Sequence, residues 1–133
     1  MLARVRVYLC RHAEAAPGDP DELRELTAAG REQARALGET LASLAEPPRL
    51  VLTSPLLRAR QTSHEVAEAT GASVLVEPRL APGATAEGLR AAIEGVDGAV
   101  ATVGHQPDCS EIAVALTGSD PGFAPGGMAE LTL

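Results

Sequence analysis

Leu50-Val51-Leu52-Thr53-Ser54-Pro55-Leu56-Leu57-Arg58 is a short apolar run that turns, without a spacer, into a helix start. Three aliphatic residues in succession predict a buried strand over residues 50–52. Ser54 and Pro55 then supply an N-cap and an N1 proline: a serine hydroxyl can accept from the first free amides of a helix, and proline has no amide to leave unsatisfied. The helix is predicted to run over residues 55–69 and to stop at Gly71. A buried strand feeding directly into a helix is half of a βαβ unit, the building block of a parallel sheet.

The same alternation continues on both sides. Upstream, Val5-Arg6-Val7-Tyr8-Leu9 is rich in β-branched and aromatic residues and predicts a strand whose end is Leu9-Cys10-Arg11-His12. Pro17, Gly18, Asp19 and Pro20 mark residues 15–22 as a loop, and Thr27 reads as the N-cap of the next helix. Ala34, Leu37, Leu41 and Leu44 recur at intervals of three and four, with Arg31, Glu32, Arg35 and Glu39 opposite, so an amphipathic helix is expected over residues 28–45, ended by Pro47-Pro48.

Downstream, Ser73-Val74-Leu75-Val76 predicts a third strand, and Thr85 opens a helix through Leu89, Ala92 and Ile93. Ala99-Val100-Ala101-Thr102-Val103 predicts a fourth strand, ending at Gly104. Asp108 and Glu111 form a capping-box pattern for a helix over residues 109–116, closed by Gly118, and Met128 to Leu133 reads as a last strand. Strands and helices in strict alternation predict an α/β fold, a three-layer α/β/α sandwich around a mostly parallel sheet, as one domain over residues 1–133.

Composition removes several function classes. The 133 residues carry a net charge of −7, which argues against nucleic acid as a partner. All 11 basic residues are Arg. Without Lys there is no P-loop and no Schiff-base chemistry. Cys10 and Cys109 form no metal-binding pair, and a Cys-x5-Arg phosphatase loop starting at Cys10 requires Arg where Ala16 stands. A zinc deaminase site needs a C-x2-C pair that is missing here. No apolar stretch approaches the ~20 residues that span a bilayer. We therefore expect a cytoplasmic chain with reduced thiols, no metal, no cofactor and no membrane association.

In open parallel sheets ligands bind beyond the carboxyl ends of the strands. Those ends carry Arg11 and His12 after the first strand, Thr53, Ser54 and Arg58 after the second, and Gly104 and His105 after the fourth. Arginine forks match phosphate oxygens and stay charged, a helix N-terminus favours an anion, and imidazole is an uncharged nucleophile near neutral pH. The combination predicts phosphoryl chemistry: His12 attacks phosphorus, while Arg11, Arg58 and a protonated His105 stabilise the equatorial oxygens. Glu14 and Ser54 are further substrate-binding candidates. His64, by contrast, reads as a surface or satisfied core residue in mid-helix, and Thr27, Ser54 and Asp108 read first as caps.

Arg11-His12-Ala13-Glu14, Leu26-Thr27-Ala28-Ala29-Gly30, the run from Thr53-Ser54-Pro55 through Arg58 to Thr62, and Val103-Gly104-His105-Gln106-Pro107 resemble, in content and order, the histidine phosphatase superfamily. The resemblance implies a phosphoglycerate mutase-like fold, His12 as the phosphorylated nucleophile, and Arg11, Arg58 and His105 as the phosphate pocket. Two departures are informative. Ala13 stands where relatives carry Gly. Larger relatives place a carboxylic acid in a Leu-x-Glu context after the third strand, whereas Leu80 is followed by Ala81, Pro82 and Gly83.

Glu14 and Glu77 are the candidate substitutes for that acid, and each reads first as a solvated or loop carboxylate. Its absence points to a leaving group that needs little protonation, such as the imidazole of phosphohistidine, rather than an alkoxide. The short chain is similar in this respect to SixA-type phosphohistidine phosphatases, which implies a phosphohistidine-bearing signalling or phosphotransfer protein as substrate. The alternatives are a hydrolase of small phosphate monoesters, such as a sugar or nucleotide phosphate, and a non-catalytic phosphate-binding relative.

Overall fold

The structure is a computed structural model and describes residues 4–133. Met1, Leu2 and Ala3, which the expected domain includes, lie outside the described residues. The strands β1 (Arg6–Arg11), β2 (Leu50–Thr53), β3 (Ser73–Val76), β4 (Ala99–Gly104) and β5 (Met128–Thr132) alternate with the helices α1 (Ala28–Ala42), α2 (Leu57–Thr70), α3 (Ala86–Ile93) and α4 (Asp108–Thr117). They form one sheet in the order β3-β2-β4-β1-β5, parallel except for β5, which runs antiparallel to β1. This is the expected α/β architecture.

Alternation along the strands builds the two helical layers. In β1, Tyr8 and Cys10 face one side, where they meet Leu37 and Leu41 of α1 and Ala59 and Val66 of α2. Val7 and Leu9 face the other, packing with Leu89 and Ile93 of α3 and Cys109 and Ile112 of α4. Each fully buried leucine, Leu41 and Leu89 among them, contributes roughly 1.5–3 kcal/mol of hydrophobic stabilisation. The cover thins at the sheet edge, where Leu75 and Val76 of β3 are more than half exposed. No helix among the described residues is long and apolar enough to cross a membrane.

Several helix ends follow the sequence. Thr27 and Thr85 accept from the amides of Gly30 and Gly88, and Gly71 closes α2 in the left-handed conformation at φ 77°. Three ends differ. The first helix stops at Ala42 rather than near residue 45, with Ser43 as its C-cap. The second begins at Leu57, two residues later than expected, because Leu56 is extended, at ψ 141°, and itself takes the N-cap position. Ser54 is therefore not its N-cap. The fourth begins at Asp108 with Pro107 as N-cap, so the expected capping box does not form. The Asp108 carboxylate instead accepts from the amides of Gly83 (2.9 Å) and Ala84 (3.2 Å), pinning the loop after Leu80.

Candidate active site

The sheet register brings three strand ends together. Arg11 pairs with Gly104 across β1 and β4, and Thr53 pairs with Val103 across β2 and β4. The next residue of each strand, His12, His105 and Ser54, therefore emerges at one edge. Backbone bonds continue the ladder there: the His12 amide donates to Gly104 O (3.0 Å) and the Ser54 amide to Val103 O (2.9 Å). The His12 and His105 rings lie 5.1 Å apart, tilted by 59°. Arg58 arrives from the first turn of α2, as its spacing from Ser54 predicts, and its guanidinium is buried.

The hydrogen bonds fix the state of His12. Its Nδ1 lies 2.7 Å from Ala13 O, and a carbonyl only accepts, so Nδ1 carries the proton and Nε2 keeps its lone pair. Burial pushes the ring down from 6.5 to about 4; the Ala13 bond opposes this, while the positive charges of Arg58, Arg11 and Arg24 add to it. At neutral pH His12 is an uncharged imidazole with a free Nε2.

Ser54 has a different role from the one its sequence position suggests. It is buried, accepts from the Leu56 amide (3.3 Å), and its Oγ lies 2.7 Å from His105 Nε2. With the serine hydrogen directed to Nε2, the ring proton of His105 sits on Nδ1. Burial, then His12 and Arg58, push His105 down to about 4, with Asp21 pulling the other way. At neutral pH the His105 ring is thus uncharged here, whereas the positive charge expected of it concerns the site with a phosphoryl group bound.

Among the described residues, the buried side-chain nitrogens without a hydrogen-bond partner are Arg11 Nε, Arg58 Nε and His105 Nδ1. All three belong to this site. Their side chains are otherwise anchored: Arg11 Nη1 donates to Phe123 O (2.9 Å), and Arg58 Nη1 and Nη2 donate to Asp21 O (2.9 Å) and Asp21 Oδ2 (3.2 Å). Buried donors are rarely left unsatisfied, and three around one histidine suit a ligand with several acceptor oxygens.

The two carboxylates expected as acids are not brought in. Glu14 Oε2 accepts from Thr27 Oγ1 (2.8 Å), at an exposed position. Glu77 is held by Arg79, through the side chain first and the amide second, and is lowered below the usual carboxylate range. Glu77 is therefore no proton donor at neutral pH, and Glu14 is bonded to Thr27 rather than to a residue of the pocket.

Residues to which the sequence assigned no role complete the frame. Thr62 Oγ1 accepts from the Ala13 amide (3.0 Å) and donates to Arg58 O (2.9 Å), tying the loop after His12 to the helix that carries Arg58. A Cβ at Gly30 would collide with the Glu14 carbonyl, so only glycine lets α1 approach that loop. Asp21, in a short 3-10 turn (Asp21–Leu23) inside the stretch read as loop, reaches Arg58 from 37 residues away in sequence. Only the tertiary fold exposes that pairing.

The sequence matches the histidine phosphatase superfamily (branch 1) over residues 7–103. The chain belongs to that superfamily. The structure of the protein histidine phosphatase SixA complexed with tungstate superposes with a TM-score of 0.85 at 28% identity, covering 96% of this chain and 88% of SixA. A putative phosphohistidine phosphatase SixA from Agrobacterium tumefaciens gives 0.81 at 33% identity, covering 95% and 90%. An uncharacterized protein of Picosynechococcus sp. is 35% identical over 120 residues, 84% of this chain and 73% of the relative. Superfamily membership and these SixA neighbours support phosphatase activity.

Proposed function

We propose that this chain is one histidine phosphatase domain that removes phosphate from phosphohistidine on a signalling or phosphotransfer protein, with His12 as the nucleophile. The observation that carries the reading is a neutral His12 with a free Nε2 facing a site where Arg11 Nε, Arg58 Nε and His105 Nδ1 have no protein acceptor. The similarity to SixA, whose complex holds the oxyanion tungstate, supports a phosphoryl group as the ligand.

In the first step His12 Nε2 forms a bond to phosphorus while the P–N bond of the substrate breaks. The bonding pair returns to the substrate ring, which leaves as neutral imidazole because its other nitrogen already carries a proton. Nδ1–H of His12 stays on Ala13 O and supports the positive charge that develops on the ring. Water then attacks phosphorus, the pair returns to Nε2, and the water proton leaves with the phosphate. Arg11, Arg58 and His105 donate to the equatorial oxygens throughout, and the dianion they hold favours protonated His105. No step draws a proton from a carboxylic acid, in keeping with Glu14 and Glu77 being bonded elsewhere.

The test compares phosphate release from a phosphohistidine peptide and from p-nitrophenyl phosphate, with trapping of the enzyme in acid and base. The expected result is faster release from phosphohistidine and a base-stable, acid-labile phosphoenzyme absent from His12→Ala, whose turnover falls on the order of 10⁴-fold or more. Ester turnover exceeding phosphohistidine turnover, and collapsing in Glu14→Gln or Glu77→Gln, overturns the substrate reading. Absence of phosphoenzyme and of turnover with either substrate overturns the catalytic one.

A further inference from the structure

Asp21 is the carboxylate that the described residues place against a pocket arginine. It grips Arg58 twice, by its carbonyl on Nη1 (2.9 Å) and by Oδ2 on Nη2 (3.2 Å), leaving Arg58 Nε unpartnered. Its other oxygen, Oδ1, accepts from Arg24 Nη1 (3.0 Å), and Arg24 Nε is itself fixed on Ala16 O (2.8 Å). The carboxylate is thus held at both oxygens. It is also outermost: the Asp21 side chain is 57% exposed where that of Arg58 is 8% exposed. His105 feels its negative charge.

That position is chemically selective. In-line attack by His12 puts the leaving group on the far side of phosphorus from the ring, and Asp21 is the solvent-exposed carboxylate beside the Arg58 that would hold that phosphorus. We propose that Asp21 is a specificity-determining residue that makes the site prefer a phosphoryl group carried on a cationic imidazolium over one carried on an ester oxygen. The inference rests on the phosphohistidine reading above and names the residue that would enforce it.

Two opposing effects produce the preference. The imidazolium of phosphohistidine presents an N–H⁺ on its distal nitrogen, and a fixed carboxylate accepts from it in a charge-assisted bond that keeps the ring protonated until the P–N bond breaks. An ester leaving oxygen gains negative charge as its bond breaks. Asp21 repels that charge, and its bonds to Arg24 and Arg58 hold it ionised, with no proton to give.

The experiment measures kcat/KM for a phosphohistidine peptide and for p-nitrophenyl phosphate in wild type, Asp21→Asn and Asp21→Glu, with vanadate inhibition as the readout of the oxyanion pocket. Asp21→Asn is expected to lower the phosphohistidine-to-ester ratio at least tenfold while vanadate still inhibits within a few-fold of wild type. Asp21→Glu is expected to restore most of the ratio. A parallel fall in both turnovers and in vanadate affinity makes Asp21 only a brace for Arg58 and overturns the proposal, as does an unchanged ratio. Wild type that cleaves the ester but not phosphohistidine defeats the functional reading and the inference together. Wild type that prefers phosphohistidine, with the ratio unchanged in Asp21→Asn, defeats the inference alone.

Discussion

The floor of the site and its rim are held by different forces. On the floor, His12 and Ser54 are fixed by main-chain bonds that extend the β1–β4–β2 ladder, and His105 is buried beside them. At the rim, Asp21 pairs with Arg58 and Arg24, Glu14 with Thr27 and Glu77 with Arg79, each pair with at least one side chain open to solvent. Backbone ladders in a packed core have one geometry, whereas side-chain pairs at a solvent-facing edge are worth less individually and are altered by single substitutions. The contrast separates two tasks: the floor sets the geometry of phosphorus, and the rim sets which leaving group is welcome.

Arg58 is the point where floor and rim meet, so its loss gives the largest expected effect. Arg58→Ala should lower kcat/KM by about 10²–10³-fold, the magnitude lost with one preorganised oxyanion donor. It should also abolish most of the rise in melting temperature that inorganic phosphate confers on wild type. Retention of both in Arg58→Ala would put the oxyanion elsewhere and dissolve the division between floor and rim.

Acid probes the floor alone. His12 and His105 both sit near 4 in the folded protein, against 6.5 for an unperturbed ring. Activity is expected to be flat from about pH 5.5 upward through neutrality, and to fall about tenfold per unit below 4 as His12 Nε2 takes up a proton. Stability carries the same sign: the unfolded chain binds protons near 6.5 and the folded one does not until about 4. The contribution of the neutral histidines is therefore complete above 6.5 and is lost as pH falls from there towards 4. Activity measured with acid-stable substrate, together with thermal melts across pH 3.5–8, checks both. A limb centred near 6.5 would mean that the floor is open to water.

Ser54→Ala should cost less, about tenfold in kcat with KM little changed. The methyl group leaves His105 Nε2 without its 2.7 Å partner and frees the ring to choose its tautomer, so Nδ1–H is no longer guaranteed to face the oxyanion. A loss of melting temperature with kcat intact would make the serine merely structural. Ser54→Thr, which keeps the hydroxyl, should preserve most of the activity.

These residues also show what a sequence can and cannot disclose. The alternation of strands and helices and the positions of His12, Arg58 and His105 follow from local signals: apolar runs, a helix first turn, and histidines one residue past strand ends. Ser54 and Asp108 carry the same local signal as a cap, yet their partners are His105, 51 residues away, and the Gly83 and Ala84 amides, about 25 away. A polar residue before a helix is ambiguous between those fates until the sheet is assembled. Asp21 lay in a stretch whose prolines and glycine announce only a turn, and turn chemistry does not say what the turn will touch. The floor was legible because it is made of strand ends; the rim was not, because it is made of side chains that meet only after folding.

The smallest expected effect belongs to the rim carboxylates that do not touch the site. Glu77→Gln should change kcat/KM on phosphohistidine less than twofold and stability by no more than about 1 kcal/mol. An amide oxygen can still accept from the Arg79 amide, and only the pairing with the exposed guanidinium is weakened. Glu14→Gln should behave likewise, since Gln can accept from Thr27 Oγ1 as Glu does. The pair is a control on Asp21→Asn. All three substitutions remove one negative charge from an acidic protein, but only Asp21 lies against Arg58. If the three shift the phosphohistidine-to-ester ratio equally, the rim acts through overall charge. If only Asp21→Asn shifts it, the selectivity is local and comes from the one carboxylate of the three that lies beside Arg58.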